Sequence, residues 1–506
     1  MEKLPSVLHN PGNFCYLNSL LQCLTHIKPI KQFFNKNMKF DSTIYSIINF
    51  FGINLNSNEN SINSISEVII SELNSLYENN ENNKKINEIN KKYFENITFD
   101  LKPYFSNNNY FNEEVNINFE ETYDANLIEN NDTQFLERHR KEFDGYLELR
   151  NNNAFMENII KMKICYIISS NNIDKDRFIW FLEKIKNKKS EFLLYDRLKN
   201  FIIELAQFNC QLTPCKLIAF INNFVKNSPF AYIVDGNQQD VHELFQVILY
   251  GLHESHSDKL TLDIPKQIIE MPDNIVNSLD INDKIKVKLQ KTIYNSYKDS
   301  YSNIVHQMHF FNLKLITCRS CKHQSINFDD SSILYAEIPE TNENIVSIYD
   351  CLESHFAIEP LEDYKCDHCG KKDSILLNKM ITQPETLPIA LKRFKYNHNN
   401  GNSTKNYTNV SYPAILNISK YCPGNGNNEN NENNENNNPE IKNKYMYKLR
   451  CVLNHIGNVN GGHYYTYCFS NELNNWYNLN DMQVNKIDIK QVLENPNAYM
   501  LFYEKI

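Results

Sequence analysis

The chain has 506 residues, room for about three domains at roughly 150 residues each, or for one large domain with insertions. Hydrophobic residues make up 41% and aromatic residues 12%, ample for a large core, while 52 basic against 61 acidic side chains leave a formal charge of −9. That balance argues against nucleic-acid backbones and anionic membranes as principal ligands. No apolar run reaches the 18 or so residues of a membrane span, and the opening MEKLPSVLHN lacks the basic-then-apolar order of a secretory signal. The 13 cysteines, an odd number including two Cys-x-x-Cys pairs, fit metal or thiol chemistry in a reducing compartment, cytoplasm or nucleus, better than a disulfide scaffold.

In chain order, a Gly/Asn/Pro turn at Asn10–Asn13 leads into a helix whose Leu17, Leu20, Leu21 and Leu24 form one apolar stripe. Residues 41–205 turn Asn- and Lys-rich, with runs such as Glu78 to Asn83. Apolar stretches such as Phe178 to Ile185 interrupt them, and the whole reads as an insertion, partly disordered. After Gly236, the residues Val241, Leu244, Phe245, Ile248 and Leu252 predict a second amphipathic helix. Tyr447, Leu449, Cys451 and Leu453 are expected to share one face of a strand, and Tyr464–Phe469, Trp476–Leu479 and Ala498–Tyr503 predict further strands. Gly424 to Asn438 holds almost no apolar side chain and is expected to be a mobile loop. Helices first and an antiparallel sheet later indicate an α+β enzyme.

Cys15 falls in or beside the first turn of the first helix, where about half a positive charge favours thiolate over thiol. By itself it reads more readily as a core cysteine, the commoner fate of a lone thiol. A cysteine nucleophile needs an imidazole and a group to orient it. His463 follows Gly461–Gly462, a pair that leaves room for an extended peptide, and Asn480 and Asp481 stand on the next predicted strand. The pairs Cys318/Cys321 and Cys366/Cys369, the second followed by Gly370, meet the four-thiolate requirement of a closed structural zinc site. His368 is a weaker substitute ligand.

These segments resemble the ubiquitin-specific protease family of cysteine deubiquitinases. GNFCYLNSLLQCL (Gly12 to Leu24) is similar to the family's cysteine box and GNQQDVHELFQVIL (Gly236 to Leu249) to its Gln-Gln-Asp box. PETLPIALKRF (Pro384 to Phe394), LNHIGNVNGGHYYTY (Leu453 to Tyr467), WYNLND and AYMLFYEKI are similar to its palm strands. The resemblance implies a papain-like α+β fold with a helical thumb (1–40 and 206–300), β fingers (301–383) and an antiparallel β palm (384–506, with a mobile loop at 424–442). It implies Cys15 as nucleophile, His463 as general base, Asn480 as third member with Asp481 as second candidate, and Asn10 as oxyanion donor. Gln239, Asp240, Gly461, Gly462 and Tyr464 would meet the ubiquitin tail, and His455 would pack within the palm. A structural Zn2+ at Cys318, Cys321, Cys366 and Cys369 would tie the fingertips, with no cofactor for the chemistry. Ubiquitin and ubiquitinated proteins would be the partners, and a regulatory protein would use the 41–205 insertion. A catalytically silent ubiquitin-binding scaffold is the alternative.

Overall fold

The structure, a computed structural model, describes residues 3–10, 12–36, 38–51, 53, 59–77, 160, 164, 167–168, 173–227, 230–231, 240–259, 264–341, 344–397, 402–423, 444–458 and 461–506. Gln239, the tract 424–443 and most of 78–172 lie outside the described residues. The chain divides into two compact units, residues 37–193 and residues 1–36 with 194–506.

In the larger unit the first elements are β1 (Val7–Leu8), α1 (Cys15–His26) and α2 (Lys28–Lys36). The unit resumes within α6 (Lys189–Leu205), then β2 (Gln211–Leu212), α7 (Cys215–Lys226) and α8 (Val241–His256). Tyr195 packs edge-on against Phe33 at 5.8 Å and Phe34 at 5.4 Å, so this unit leaves and rejoins the chain at neighbouring points. The smaller unit is helical: α3 (Met38–Phe51), α4 (Glu59–Tyr77) and α5 (Lys175–Asn187), with α5 packed on the other two. Asp174 caps α5 by accepting from the Arg177 N–H at 2.7 Å. The stretch Phe178 to Ile185, read from sequence as an apolar interruption, is the buried face of that helix, through Phe178, Phe181, Leu182 and Ile185.

The palm-like sheet has eight strands. Its order is β17 (Gln483–Ile487), β16 (Asn475–Asn480), β15 (Gly461–Ser470), β14 (Met446–Asn458), β18 (Ala498–Lys505), β9 (Thr386–Leu391) and β5 (Leu334–Ala336), with β13 (Ile415–Asn417) also paired to β14. All pairings are antiparallel except β5 with β9. One face covers a core that includes Tyr447, Leu449, Val452 and Leu501. The other receives α1, which packs on β15, β14 and β16. The expected single stripe of α1 understates its burial, because α8 also packs on it and every residue from Cys15 to Thr25 is buried. Its polar side chains therefore need internal partners: Gln22 donates to the Ser6 carbonyl at 2.8 Å and Thr25 to the Leu21 carbonyl at 2.8 Å.

The expected alternation in β14 holds only as far as Leu449. The pairing with β18 steps from Leu449↔Tyr503 to Cys451↔Phe502, so Arg450 is an extra residue, a β-bulge. The bulge reverses the facing, so Cys451 turns toward α1 while Tyr447 and Leu449 stay with the opposite core.

A second sheet runs β4 (Gln324–Ser331), β3 (Phe310–Cys318), β8 (Ser374–Met380) and β7 (Glu359–Leu361). A short hairpin, β10 (Phe394–Asn397) with β11 (Asn402–Lys405), leads on toward β13. No helix among the described residues is long and apolar enough to cross a membrane.

Candidate active site

Cys15 is the first residue of α1. Phe14 at the N-cap makes no side-chain cap bond and the first turn has no acidic residue, so the positive end of the helix is left to the thiol. Sγ of Cys15 accepts the Tyr464 backbone N–H at 3.5 Å. The His463 ring bonds Cys15 on one side, and on the other its Nε2 lies 2.6 Å from Oδ1 of Asn480. An amide oxygen can only accept, so Nε2 carries a proton and Nδ1 is left for the thiol. The bond to Cys15 is the main reason the His463 imidazole is pushed up to about 9; burial opposes this, and Asn480, the Cys15 charge and Asp481 add to it. The arrangement can hold a thiolate–imidazolium pair with the ring orientation fixed.

Asp481, expected beside the imidazole, spends its carboxylate elsewhere. Oδ2 accepts from Nδ2 of Asn10 at 3.0 Å and Oδ1 from Nδ2 of Asn18 at 2.8 Å, while its backbone carbonyl accepts the Leu8 N–H at 3.1 Å. It sits at φ 49°, a left-handed conformation that Asp tolerates better than most residues. Asn10 is thereby anchored: Oδ1 accepts from the Gly12 and Phe14 amides, both at 3.2 Å, and one of its two amide hydrogens is committed to Asp481. Asn18 was visible only as a letter in the cysteine box. Its Oδ1 is buried without a hydrogen-bond partner, so the amide is oriented through Nδ2, which donates to the carboxylate at 2.8 Å and to the His9 carbonyl at 3.4 Å.

Asp240 N-caps α8 by accepting from the His242 N–H at 3.1 Å. Tyr499 donates to its Oδ2 at 2.5 Å, and Nδ1 of His242 lies 2.6 Å from Oδ1. Burial opposes protonation of His242, but the Asp240 bond and charge outweigh it and raise its pKa. Tyr499 carried no separate signal in the sequence beyond its place in a strand.

The two glycines before His463 do different things. A Cβ on Gly461 would meet nothing within 4 Å, whereas one on Gly462 would stand 2.3 Å from Nε2 of His455 and 2.4 Å from the Ile456 carbonyl. The space left by Gly462 is thus filled from within. His455 is 3% exposed and packs on Tyr464 at 4.6 Å, as expected of a palm residue. Burial and the nearby Lys405 hold its imidazole down at about 4. Lys405 donates to Nδ1 of His455 at 2.8 Å and to the carbonyls of His455 and Gly457 at 2.9 and 3.0 Å, pinning the hairpin that carries His463. Tyr464, expected to meet the substrate tail, is 3% exposed. Its backbone N–H donates to the thiol, and its ring packs between His455 and Tyr499.

At the end of the second sheet, the sulfurs of Cys318, Cys321, Cys366 and Cys369 all lie within 4.8 Å of one another. Cys318–Cys369 and Cys321–Cys366 are each 3.7 Å apart, close to the edge of about 3.8 Å that a tetrahedral ion with metal–sulfur bonds of about 2.3 Å requires. The two knuckles match. The Lys322 N–H reaches the Cys318 carbonyl at 2.9 Å and the Gly370 N–H the Cys366 carbonyl at 2.8 Å, with both residues at positive φ, 61° and 72°. Asp373 ties them by accepting from Arg319 at 2.8 Å and Ser320 at 2.7 Å. His368 instead stacks on His323 at 5.4 Å. The four thiols can hold a metal ion.

A family model described as ubiquitin carboxyl-terminal hydrolase matches residues 7–503. Among curated proteins, ubiquitin carboxyl-terminal hydrolase 5 of Saccharomyces cerevisiae is 27% identical over 276 residues, 54% of this chain and 33% of its own length. The probable ubiquitin carboxyl-terminal hydrolase R319 of Acanthamoeba polyphaga mimivirus is 25% identical over 331 residues, 58% of this chain and 66% of its own. The chain thus spans about a third of the yeast relative and about two-thirds of the viral one. Among solved structures, the SAGA Ubp8/Sgf11/Sus1/Sgf73 DUB module bound to ubiquitin aldehyde is similar at 22% identity and a TM-score of 0.40, over 60% of this chain and 58% of that one.

Proposed function

The chain belongs to the ubiquitin carboxyl-terminal hydrolase family, and from that membership we propose that it is a thiol-dependent deubiquitinase hydrolysing isopeptide bonds at the C-terminal glycine of ubiquitin. The observation that carries this reading is the His463 ring held between Cys15 and Asn480. The Cys15 thiolate attacks the glycine carbonyl, and the free hydrogen of the Asn10 amide together with the Cys15 backbone N–H donates to the oxyanion. Imidazolium at His463 gives its Nδ1 proton to the departing lysine amine. The ring then takes a proton from water, which cleaves the thioester and restores the thiolate. Asn480 keeps the ring turned toward the thiol, and Asp481 acts by positioning Asn10 and Asn18.

Ubiquitin ends in Leu-Arg-Leu-Arg-Gly-Gly, and the open side of Gly461 suits a tail without side chains next to the scissile bond. Asp240, already oriented by Tyr499 and His242, is the acid for a tail arginine. Gln239 joins it by family resemblance alone. Zinc is the ion for the four fingertip thiols, which as a closed tetrahedral set leave no position for substrate. The 41–205 insertion is the segment assigned to a regulatory protein. Twelve described cysteines, none in a disulfide, suit the reducing cytoplasm or nucleus.

The test is cleavage of a fluorogenic ubiquitin substrate, with an electrophilic ubiquitin probe in parallel. Wild type turns over the substrate and is labelled at Cys15; Cys15→Ala and His463→Ala do neither. Activity surviving either substitution ends the assignment, and ubiquitin binding without labelling of wild type identifies the silent scaffold.

A further inference from the structure

Behind the catalytic cleft three more cysteines converge from three elements. Cys23 comes from α1, about two turns beyond Cys15, and Cys451 and Cys468 are direct cross-strand partners on β14 and β15. Each is 0% exposed, and their sulfurs all lie within 4.8 Å of one another. Cys451 reaches this face only because the Arg450 bulge turns it there. Thiolates in a tetrahedral set with bonds of about 2.3 Å stand about 3.8 Å apart, inside the 4.8 Å within which these three sulfurs lie. A fourth donor is in place. Oγ1 of Thr466 lies 3.1 Å from Sγ of Cys23 and 3.6 Å from Sγ of Cys468, and it donates to the Val452 carbonyl at 3.1 Å. With its proton on that carbonyl, the lone pairs of the hydroxyl face the sulfurs. Cores use single cysteines as small apolar filler; packing does not require three of them and an oriented hydroxyl at one point.

We propose that Cys23, Cys451, Cys468 and Thr466 form a second metal site, of three sulfurs and one oxygen, for a thiophilic d10 divalent cation of the zinc class. Magnesium and calcium, which take all-oxygen sets, are excluded by the donors. An ion there would staple the helix that carries Cys15 to the strand that carries His463. The site is separate from the fingertip set and its existence does not depend on the proposed activity.

The test is cadmium loading of the full chain, reduced and stripped with chelator, in a Cys15→Ala background so that the Cys15–His463 pair is not a ligand. Metal analysis is expected to give two cadmium ions per chain, and 113Cd NMR two resonances, one for four sulfurs and one for three sulfurs and an oxygen. Adding Cys451→Ala lowers the count from two to one and removes only the second resonance. Adding Thr466→Val leaves three thiols and shifts only that resonance. One ion per chain with a single four-sulfur signal overturns the proposal before any core variant is made, and so does a folded Cys451→Ala protein that still binds two.

Discussion

Replacing Asp481 by Ala tests how the two ends of the chain are joined at the cleft. Two amide donors lose a carboxylate acceptor, Asn18 at 2.8 Å and Asn10 at 3.0 Å. Asn18 is 2% exposed and keeps only the long contact to the His9 carbonyl at 3.4 Å, so losing the bond to the charged group costs about 1.5–3 kcal/mol. Asn10 is half-buried and recovers most of its loss from solvent, leaving about 0.5 kcal/mol. Alanine at φ 49° adds strain of about 1 kcal/mol, which Asp481→Gly avoids. Urea unfolding is therefore expected to show Asp481→Ala destabilised by about 3–4.5 kcal/mol and Asp481→Gly by about 1 kcal/mol less. In ubiquitin hydrolysis both variants release Asn10, so kcat is expected to fall about 10²–10³-fold, the usual effect of one oxyanion donor, with KM little changed. Asp481→Asn keeps an oxygen for Asn18 and should recover stability more than rate. A folded Asp481→Ala enzyme with wild-type kcat would refute the clamp, whatever its stability.

The His463 imidazole, pushed up to about 9 chiefly by Cys15, is expected to remain protonated through neutral pH in an NMR titration, and Cys15→Ala to lower its pKa; an unchanged midpoint contradicts the pair. Because the folded value lies above the unfolded value of about 6.5, the pair contributes its full stability below pH ~6.5 and loses it as pH rises through about 9, a loss absent from Cys15→Ala. Gly462→Ala drives a Cβ to 2.3 Å from His455 and 2.4 Å from backbone, so a loss of about 1–3 kcal/mol and of activity is expected in melting and rate assays. Gly461→Ala, facing open space, should melt like wild type and raise KM for ubiquitin. Chelation, or Cys366→Ser, should lower the melting temperature through the fingertip sheet, and equal melting with and without chelator counts against a bound ion there.

What the sequence made legible follows from which forces act locally. Cys15, His463 and Asn480 sit in short segments whose helix, glycine and strand signals are each local, and the structure joins them through one ring. The fingertip cysteines were legible because metal geometry imposes the Cys-x-x-Cys spacing on the chain itself. Asp481 was legible as a charge near the histidine but not as the acceptor for Asn10 and Asn18, since those bonds join residues more than 460 positions apart. Lys405 was invisible for the same reason. The facing of Cys451 was misread because a bulge is a property of two strands together, so alternation in one strand cannot show it. Tyr464 was legible as the neighbour of His463, but the burial of its ring against His455 and Tyr499 was not, since those contacts join different strands.

The length of chain between α2 and α8 is the feature that most strains an expectation of ordinary packing, and the aromatic contacts explain why it does not. Phe33 meets Tyr195 at 5.8 Å and His256 at 5.5 Å, and Tyr195 meets His256 at 3.9 Å, so α2, α6 and the end of α8 share one buried cluster. A long excursion costs little in closure entropy once its ends are fixed side by side, since that cost grows only with the logarithm of length. What the larger unit needs is the cluster itself. With it in place α1 is buried between α8 and the sheet, and the thiol at its first residue faces His463 however many residues intervene.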